Sequence, residues 1–559
     1  MTKKISLLIL ILAILLAVIT RLYKLGEAPH GLYVDEAGQG YSAYSILKTG
    51  KDEFGMPYPF VFRSFADFKT PVYIYLIVPL IPVFGLTIYA VRFPSYFFSI
   101  LTIILTYLLI IEIAPKKYKY SLACVSSLLL AVSPWHILFG RTNFECNVGL
   151  FFLLGGVYFF YLGLKKPMFI VLSSVFFAIA LPAYHSQRIV APLTLLALTL
   201  RHRKELFLKT NTKYLIIAAT VGFLITLPTL SVATTPGFLA RATGLNIFST
   251  VRRTPSGTLD EVRGLSSFFV NNRMFLSSKE FLALYLAYYS PRNMFVLGDY
   301  GLRSSFPDLS TFFMWQFPFY IYGAYLFFKE KMLGELRSIV LTLFFIAPIP
   351  AAVTIDPYTT IRSIPLVIPQ LIFIAFAIVY AFEKIKDKKS KYFFYISFVV
   401  ILIYSIAKLY SSVIIINEFY RAQAWNYGWE EVVDVITTRL DPKIPIVIDN
   451  AREDGYIQLL FFLKYDPATY QKSNNEVALS EYYTNMQRVD SRQIGNITSR
   501  KIDWTPDTMK EQYLIGDNLA ISNEQIKLHY LTPITDIFYP DGSTAFRVVK
   551  TNPNLKPRL

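Results

Sequence analysis

The sequence is poor in cysteine, histidine and charge. Two cysteines stand among 559 residues, Cys124 inside an apolar run and Cys146 in the short loop after it. A disulfide framework is therefore excluded, and no Cys/His group has the spacing of a zinc site. Only 17% of the residues are charged, against 54% hydrophobic and 16% aromatic. That balance excludes an ordinary soluble chain of this size. Internal repeats and low-complexity stretches are also lacking, which weighs against the repeat-built architecture usual in transporters.

What the chain has instead is a series of apolar runs near 20 residues, the length that a hydrocarbon core of roughly 30 Å asks of a helix. Spans are predicted at about 5–22, 93–112, 121–138, 148–164, 167–183, 189–200, 213–232, 310–328, 336–353, 364–382 and 392–413, eleven in all. The first is too long for a signal-peptide core and has no small-residue cleavage site, so it is read as a retained span. With a cytoplasmic N-terminus, the short basic clusters at Lys116/Lys117/Lys119, Lys165/Lys166, Arg201–Lys204, Lys329/Lys331 and Lys384–Lys391 all fall inside, as the positive-inside bias requires. The apolar stretch "TPVYIYLIVPLIPVFGLTIY" (70–89) would invert every later cluster if it crossed. Pro71, Pro79, Pro82 and Gly85 interrupt it, so a helix on the outer surface, or dipping partway in, is expected there.

The net charge of +17 raises the question of nucleic acid. From Arg421 onward there are 16 Lys/Arg and 18 Asp/Glu, a net of −2, which leaves +19 on the apolar portion. Positive charge gathered around spans fits topology signals and anionic lipid, not nucleic acid. The fold class expected is a polytopic α-helical membrane protein with about eleven transmembrane helices, outer-surface juxtamembrane helices and a C-terminal soluble α/β domain. Residues 1–415 would form the transmembrane domain, with a first outer loop at 23–92 and a long outer loop at 233–309; residues 416–559 would form the extracytoplasmic α/β domain. Within that tail "KIPIVID" (443–449) and "TAFRVVK" (544–550) read as strands and "DGYIQLLFFLKY" (454–465) as a helix. A basic, disulfide-poor chain suits a bacterial or archaeal plasma membrane.

The ionisable residues left outside are Asp35, Glu36, Asp67, Lys69, Arg92, Arg141, Glu145, His185, Arg188, Asp299, Arg303, Asp356 and Arg362. Arginines in short outer loops run against the positive-inside trend. Arg141, Arg188 and Arg362 each sit at the mouth of a span, where a lipid phosphate would be. The long outer loop adds Arg241, Arg252, Arg253, Arg263 and Arg273, and arginine's planar fork suits phosphate oxygens. Together these residues point to an anionic ligand held at the outer leaflet.

Five stretches carry the chemistry: "YVDEAGQGYSAYSILKTGKDEFG" (33–55), "DFKTPVYIYL" (67–76), "GRTNFE" (140–145), "YLAYYSPRNMFVLGDYGLR" (285–303) and "DPYTTIRSIPLVIP" (356–369). In them the chain resembles the C-type-fold membrane glycosyltransferases that use polyprenyl-phosphate sugars. This family 39-like group includes the protein O-mannosyltransferases and the lipid A aminoarabinose transferases. Those enzymes carry an Asp-Glu pair after the first span, a Lys/His-Pro-Pro motif before a surface helix, and an Arg-[Leu/Phe]-Pro-Ser opening the second span. The matches are Asp35-Glu36, Lys69-Thr70-Pro71 and Arg92-Phe93-Pro94-Ser95, with Thr70 in place of the first proline. The resemblance covers roughly residues 1–410; the tail matches only by position. Some relatives bind a divalent ion here, but the acid directly before their lysine is Phe68 in this chain. No metal ligand is carried over, and a divalent metal stays open as a cofactor.

The resemblance implies an inverting hexosyl or pentosyl transfer from a polyprenyl-phosphate sugar to an acceptor on a protein, lipid or glycan. Such a donor is already activated, so two tasks remain: raising the nucleophilicity of an acceptor hydroxyl and stabilising the departing phosphate. A carboxylate performs the first as general base and preplaced cations the second. Asp35 is the candidate base, with Glu36 as its neighbour or orienting partner. Lys69 is the first candidate for the phosphate, supported by Arg141, Arg188, Arg303 and Arg362. Asp67 and Glu145 are open between sugar binding and structure, and His185 between a donor contact and a packed residue at a span end. Asp299 and Arg303 would either touch substrate or pair in their loop. A single displacement needs no second nucleophilic carboxylate.

Tyr33, Tyr41 and Tyr44 are candidates for stacking on sugar faces. "WNYGW" (425–429) is similar to the Trp-Trp-Asp motif of oligosaccharyltransferases, but Asn426 replaces the acid and the first outer loop lacks Asp-x-Asp. That reading is set aside, and Trp425, Tyr427 and Trp429 are expected as an interfacial aromatic belt. The alternative function is a transporter or flippase binding the same lipid-linked saccharide without cleaving it; a non-catalytic scaffold would leave the outer charges unexplained.

Overall fold

The structure is a computed structural model that describes residues 1–65, 67–244, 246–250, 272–330, 333–451, 455–473, 477–485, 487 and 489–555. Arg252, Arg253 and Arg263 of the long loop, and Lys331, lie outside the described residues. Two compact units are present: one of residues 1–23, 94–234 and 239–412, the other of residues 24–93, 235–238 and 413–559.

The first unit is helical. Among the described residues seven helices are long and apolar enough to cross a membrane, and an eighth is added if the bent pair Lys119–Ala131 and Pro134–Arg141 counts as one. The chain is a polytopic helical membrane protein. The 56° bend in that pair falls where Ser133 caps the second helix through the His136 N–H and Pro134 takes its first position. Three expected spans are shorter helices: Met168–Ala183, Gln187–Arg201 and Phe317–Lys329, of 16, 15 and 13 residues. The last begins late because the apolar residues before it form a turn with Phe312 and Phe313 buried. Phe317–Lys329 and Val367–Lys384 pack so closely at Gly323 that an added Cβ would lie 1.9 Å from the Phe373 carbonyl oxygen.

The second unit joins the stretch 24–93 to the tail. The stretch 70–89 folds as Pro71–Ile77, Val78–Leu80 and Ile81–Phe84, each opened by a proline in its first turn, before the helix Ile88–Ile113 begins. The tail holds a six-stranded sheet in the order Arg492–Ile494, Ile497–Ser499, Ile446–Ile448, Tyr513–Gly516, Thr544–Lys550, Thr532–Phe538. Its three inner strands from Ile497 to Gly516 run parallel and the outer pairings are antiparallel. The strands foreseen at 443–449 and 544–550 are present, as is the helix at 454–465, here Tyr456–Phe462.

That helix lies against the helix Val34–Thr49, which offers it a face of small residues. A Cβ on Gly40 would meet the Phe461 ring at 2.7 Å. Past the left-handed C-cap Gly50 (φ 70°), the buried Asp52 accepts hydrogen bonds from the Phe54 and Met56 amides, 3.0 and 2.9 Å, and from the Tyr482 hydroxyl, 2.5 Å. Burial outweighs these bonds and pushes its carboxyl up to about 6.

Gly323→Ala is expected to lower the thermal unfolding midpoint by several degrees, since overpacking a tight contact costs roughly 1–3 kcal/mol; an unchanged midpoint would deny the close crossing. For Asp52 the folded state holds a proton over pH ~4–6 that the unfolded state has released, so its contribution weakens stability as pH rises through that window. Comparing wild type with Asp52→Asn from pH 4 to 7, the difference in unfolding midpoint should change mainly there; a constant difference would contradict the raised carboxyl.

Candidate active site

Asp35 is the second residue of the helix Val34–Thr49, and Lys69 ends the strand Asp67–Lys69, which pairs with Phe62–Ser64 in a short hairpin. The hairpin carries Lys69 to Asp35. Its Nζ lies 2.8 Å from Asp35 Oδ2 and 3.6 Å from Asp67 Oδ2. The Lys69 side chain is only 6% exposed, whereas Asp35 and Asp67 are 24% and 32% exposed. The ammonium is thus enclosed, and the two carboxylates reach outward past it. The ammonium fills the place between the acids that a divalent ion would take, so this pair does not fit a resident metal. Among the described residues no group of three His, Cys, Asp or Glu side chains gathers as a ligand set.

Glu36, one residue on, points the other way and is fully buried. Arg92 holds it bidentately, Nε to Oε1 at 3.0 Å and Nη2 to Oε2 at 2.9 Å. The Tyr33 amide donates to Oε2 at 3.2 Å. Arg92 also donates to the carbonyls of Leu25, Pro29 and Gly31, so all five of its N–H groups have acceptors. The Trp425 ring lies 5.7 Å from its guanidinium. Asp35 and Glu36 therefore do different work: Glu36 is locked to the scaffold and Asp35 is presented.

Two aromatic expectations are corrected here. Trp425 and Trp429 form no belt at a lipid interface. Both are buried, Trp425 beside Arg92 and Tyr33, and Trp429 against Phe546 and Gly455. Tyr427 is half-buried. Tyr41 is buried too, its hydroxyl donating to the Tyr465 carbonyl at 3.1 Å, so it presents no face to a sugar; Tyr33 and Tyr44 are half-buried.

The remaining candidates belong to the first unit. Arg141 ends the helix Pro134–Arg141 and is buried. Its Nη1 donates to the Thr20 and Arg21 carbonyls at 2.9 and 3.1 Å, which ties it to the end of the first span. Arg21, which sequence reasoning passed over, is equally buried and donates to Ala131 O, Leu130 O and His136 Nδ1. Glu145 is buried just before the helix Cys146–Lys165. His185 and Arg188 flank the start of Gln187–Arg201 and are half-buried.

Asp299 belongs to a loop-to-loop tie. Its Oδ2 accepts from the Thr360 amide and hydroxyl, each at 2.7 Å, and its Oδ1 from the Gly301 amide at 2.8 Å. Burial raises its carboxyl above the usual range despite these bonds. Asp299 and Thr360 border a small cavity of about 20 Å³ with Trp135 and Ser304, room for about one water. Arg303 is half-buried in the same loop. Arg362 is held within its own loop by Asp356 and by Thr354 Oγ1 at 2.8 Å. Of the residues singled out from sequence, the structure brings together Asp35, Asp67 and Lys69, Glu36 with Arg92, and Asp356 with Arg362.

Residues 68–231 match the family described as dolichyl-phosphate-mannose-protein mannosyltransferase. The match opens one residue before Lys69 and takes in Arg92, Arg141, Glu145, His185 and Arg188, but not Asp35. No curated protein matches the chain in sequence. In structure it is similar to ArnT from Cupriavidus metallidurans bound to undecaprenyl phosphate, at TM-score 0.51 and 12% identity, covering 100% of both chains. The apo state of the same protein gives TM-score 0.50 and 12% identity, covering 100% of this chain and 99% of that one. It is also similar to the oligosaccharyltransferase AglB from Archaeoglobus fulgidus in complex with an inhibitory peptide and a dolichol-phosphate, at TM-score 0.50 and 12% identity, covering 100% of this chain and 75% of that one. The resemblance read from the Asp-Glu, Lys-x-Pro and Arg-Phe-Pro-Ser motifs is borne out: over its whole length the chain has the fold of these membrane transferases.

Proposed function

We propose that this chain is a membrane glycosyltransferase that moves one sugar from a polyprenyl-phosphate donor to an acceptor hydroxyl on the non-cytoplasmic face, with inversion. The observation that carries the reading is the Asp35–Lys69 pair: a part-exposed carboxylate 2.8 Å from an enclosed ammonium. The likeness to ArnT with undecaprenyl phosphate and the mannosyltransferase match around Lys69 support the lipid-phosphate donor. They also favour bond cleavage over a transporter that only carries the same lipid.

Asp35 is the general base. It takes the proton of the acceptor hydroxyl as that oxygen attacks the anomeric carbon, and the bond from that carbon to the phosphate oxygen breaks. The electron pair leaves with the polyprenyl phosphate, and attack from the face opposite the phosphate inverts the anomeric centre. Lys69 is the phosphate cation. In the ligand-free chain it neutralises Asp35, and a donor phosphate offers it a competing anion; when the ammonium turns to the phosphate, Asp35 is released to accept a proton. Glu36 orients Asp35 through Arg92. Asp67, the second acid on Lys69, holds the ammonium while it exchanges partners. The arginines at the span mouths are secondary: Arg141 donates to the Thr20 and Arg21 carbonyls, and Arg362 is engaged by Asp356 and Thr354.

Purified protein in lipid nanodiscs, given a panel of polyprenyl-phosphate sugars and an acceptor extract, should release free polyprenyl phosphate. Asp35→Asn should lower kcat by about 10²–10⁴-fold, the range of general-base catalysis, with donor binding kept. Lys69→Met should weaken both donor binding and kcat. Full activity in Asp35→Asn would remove it as base. Donor binding by the wild type without release from any donor would turn the reading to transport.

A further inference from the structure

We propose that the tail residues Gln458, Phe461, Gln471 and Tyr482 position the Asp35–Lys69 pair, with Tyr482 as the pivot. The inference rests on the proposed roles of Asp35 and Lys69 and gives the C-terminal unit a part in the reaction other than acceptor binding.

The helix bearing Asp35 is held by tail amides at both ends. Gln458, fully buried, donates from Nε2 to the Leu32 carbonyl at 2.6 Å, immediately before the helix starts. At the other end Gln471 Nε2 lies 3.0 Å from both Ser45 Oγ and Thr49 Oγ1 and 2.8 Å from the Asp52 carbonyl. Between them the Phe461 ring rests on Gly40. These contacts fix where the helix begins and how it is rotated, and so where Asp35 points.

Tyr482 joins that helix to the strand of Lys69. Its buried hydroxyl donates to Asp52 Oδ2 at 2.5 Å and accepts the Arg63 amide at 2.8 Å. Asp52 belongs to the turn that follows the Asp35 helix. Arg63 sits opposite Phe68 in the hairpin, one position from the Phe62–Lys69 pairing. One hydroxyl therefore spans both halves of the pair, using its single donor and one acceptor site. The Phe68 ring meets Tyr482 edge-on and stacks on Tyr483, and the Arg63 guanidinium is held by the Asn485 and Gln487 carbonyls. Tyr482 acts on Asp35 through the turn and on Lys69 through the hairpin. A displacement of about 1 Å between reacting groups can cost ~10²-fold in rate, so the length of this strut bears on kcat.

The test uses the full chain in nanodiscs, with Tyr482→Phe, which keeps the ring, Asp52→Asn, the double variant, and Gln458→Leu at the other end of the helix. Lys69 reactivity towards an amine-acetylating reagent, read residue by residue by mass spectrometry, reports the pair without reference to transfer. Expected are Lys69 labelling several-fold faster in Tyr482→Phe with Lys48 unchanged, and kcat per folded molecule down about ten-fold with donor KM within two-fold. The double variant should be no worse than the worse single, because both remove one link. A merely structural role would lower the folded fraction and leave Lys69 labelling and kcat per folded molecule as in the wild type; that result overturns the inference, as does faster labelling with unchanged kcat. If the wild type releases no polyprenyl phosphate from any donor, the transferase reading falls by itself, and the labelling arm decides alone whether Tyr482 sets the pair.

Discussion

The candidate site depends on one guanidinium. Arg92 is closed off from solvent, and its five donors end on the two oxygens of Glu36 and on the carbonyls of Leu25, Pro29 and Gly31. Every one of these partners precedes Asp35 in the chain or is next to it. The fork thus gathers the chain leaving the first span and fixes the first turn of the Asp35 helix. A lysine could not do this, having three donors and no planar fork. Removing either charge would leave the other buried without its counter-charge, a loss of roughly 3–5 kcal/mol, whereas Asp35 is 24% exposed. Adjacent acids in sequence are therefore placed differently: Glu36 is buried on Arg92, and Asp35 is part-exposed on Lys69.

Asp35 and Lys69 were legible as candidates because each lies near a strong local marker, the end of an apolar run or a proline; their direct pairing was not. The hairpin that joins them was not foreseen, since three-residue strands leave no periodicity to read. The division of the chain was harder still. Cutting at 415/416 follows hydropathy, which changes there, but the stretch 24–93 packs with the tail. The bonds from Gln458 to Leu32 and from Tyr482 to Asp52 cross 426 and 430 residues, and nothing local to "EYYTN" marks Tyr482 as a strut. Spans were legible by length and apolarity; what was not legible was where an apolar segment forms a packed turn, as before Phe317, or where Ser-Pro bends a run, as at Ser133-Pro134.

Cations at span mouths show a second limit. Hydropathy puts Arg141 and Arg362 at the boundary where a phosphate would sit, but position does not reveal whether a cation already has acceptors. The last turn of a helix leaves carbonyls without intrahelical partners, and those of Thr20 and Arg21 are met by Arg141, where a positive charge also suits the helix dipole. Arg362 is likewise engaged by Asp356 and Thr354. A buried arginine at a span end is thus as well explained by the helix ending there as by a ligand.

The charge of the Asp35–Lys69–Asp67 group bears on how a donor would be received. One ammonium faces two carboxylates, so with both acids ionised the group is negative as a whole, and an approaching phosphate is not drawn to it by net charge. On the proposed roles, binding comes from exchange: the ammonium leaves a carboxylate as it meets the phosphate, and the energy of the new pair is reduced by that of the old. Such an exchange is sensitive to the resting separation. Held too tightly, Lys69 would not leave Asp35; held too loosely, it would not restrain the base or be preplaced for the phosphate. On the proposed roles, a hairpin and a helix tied together from the tail, rather than the flexible lysine stem, set that separation, which is a physical reason for bracing the pair with residues hundreds of positions away in the chain.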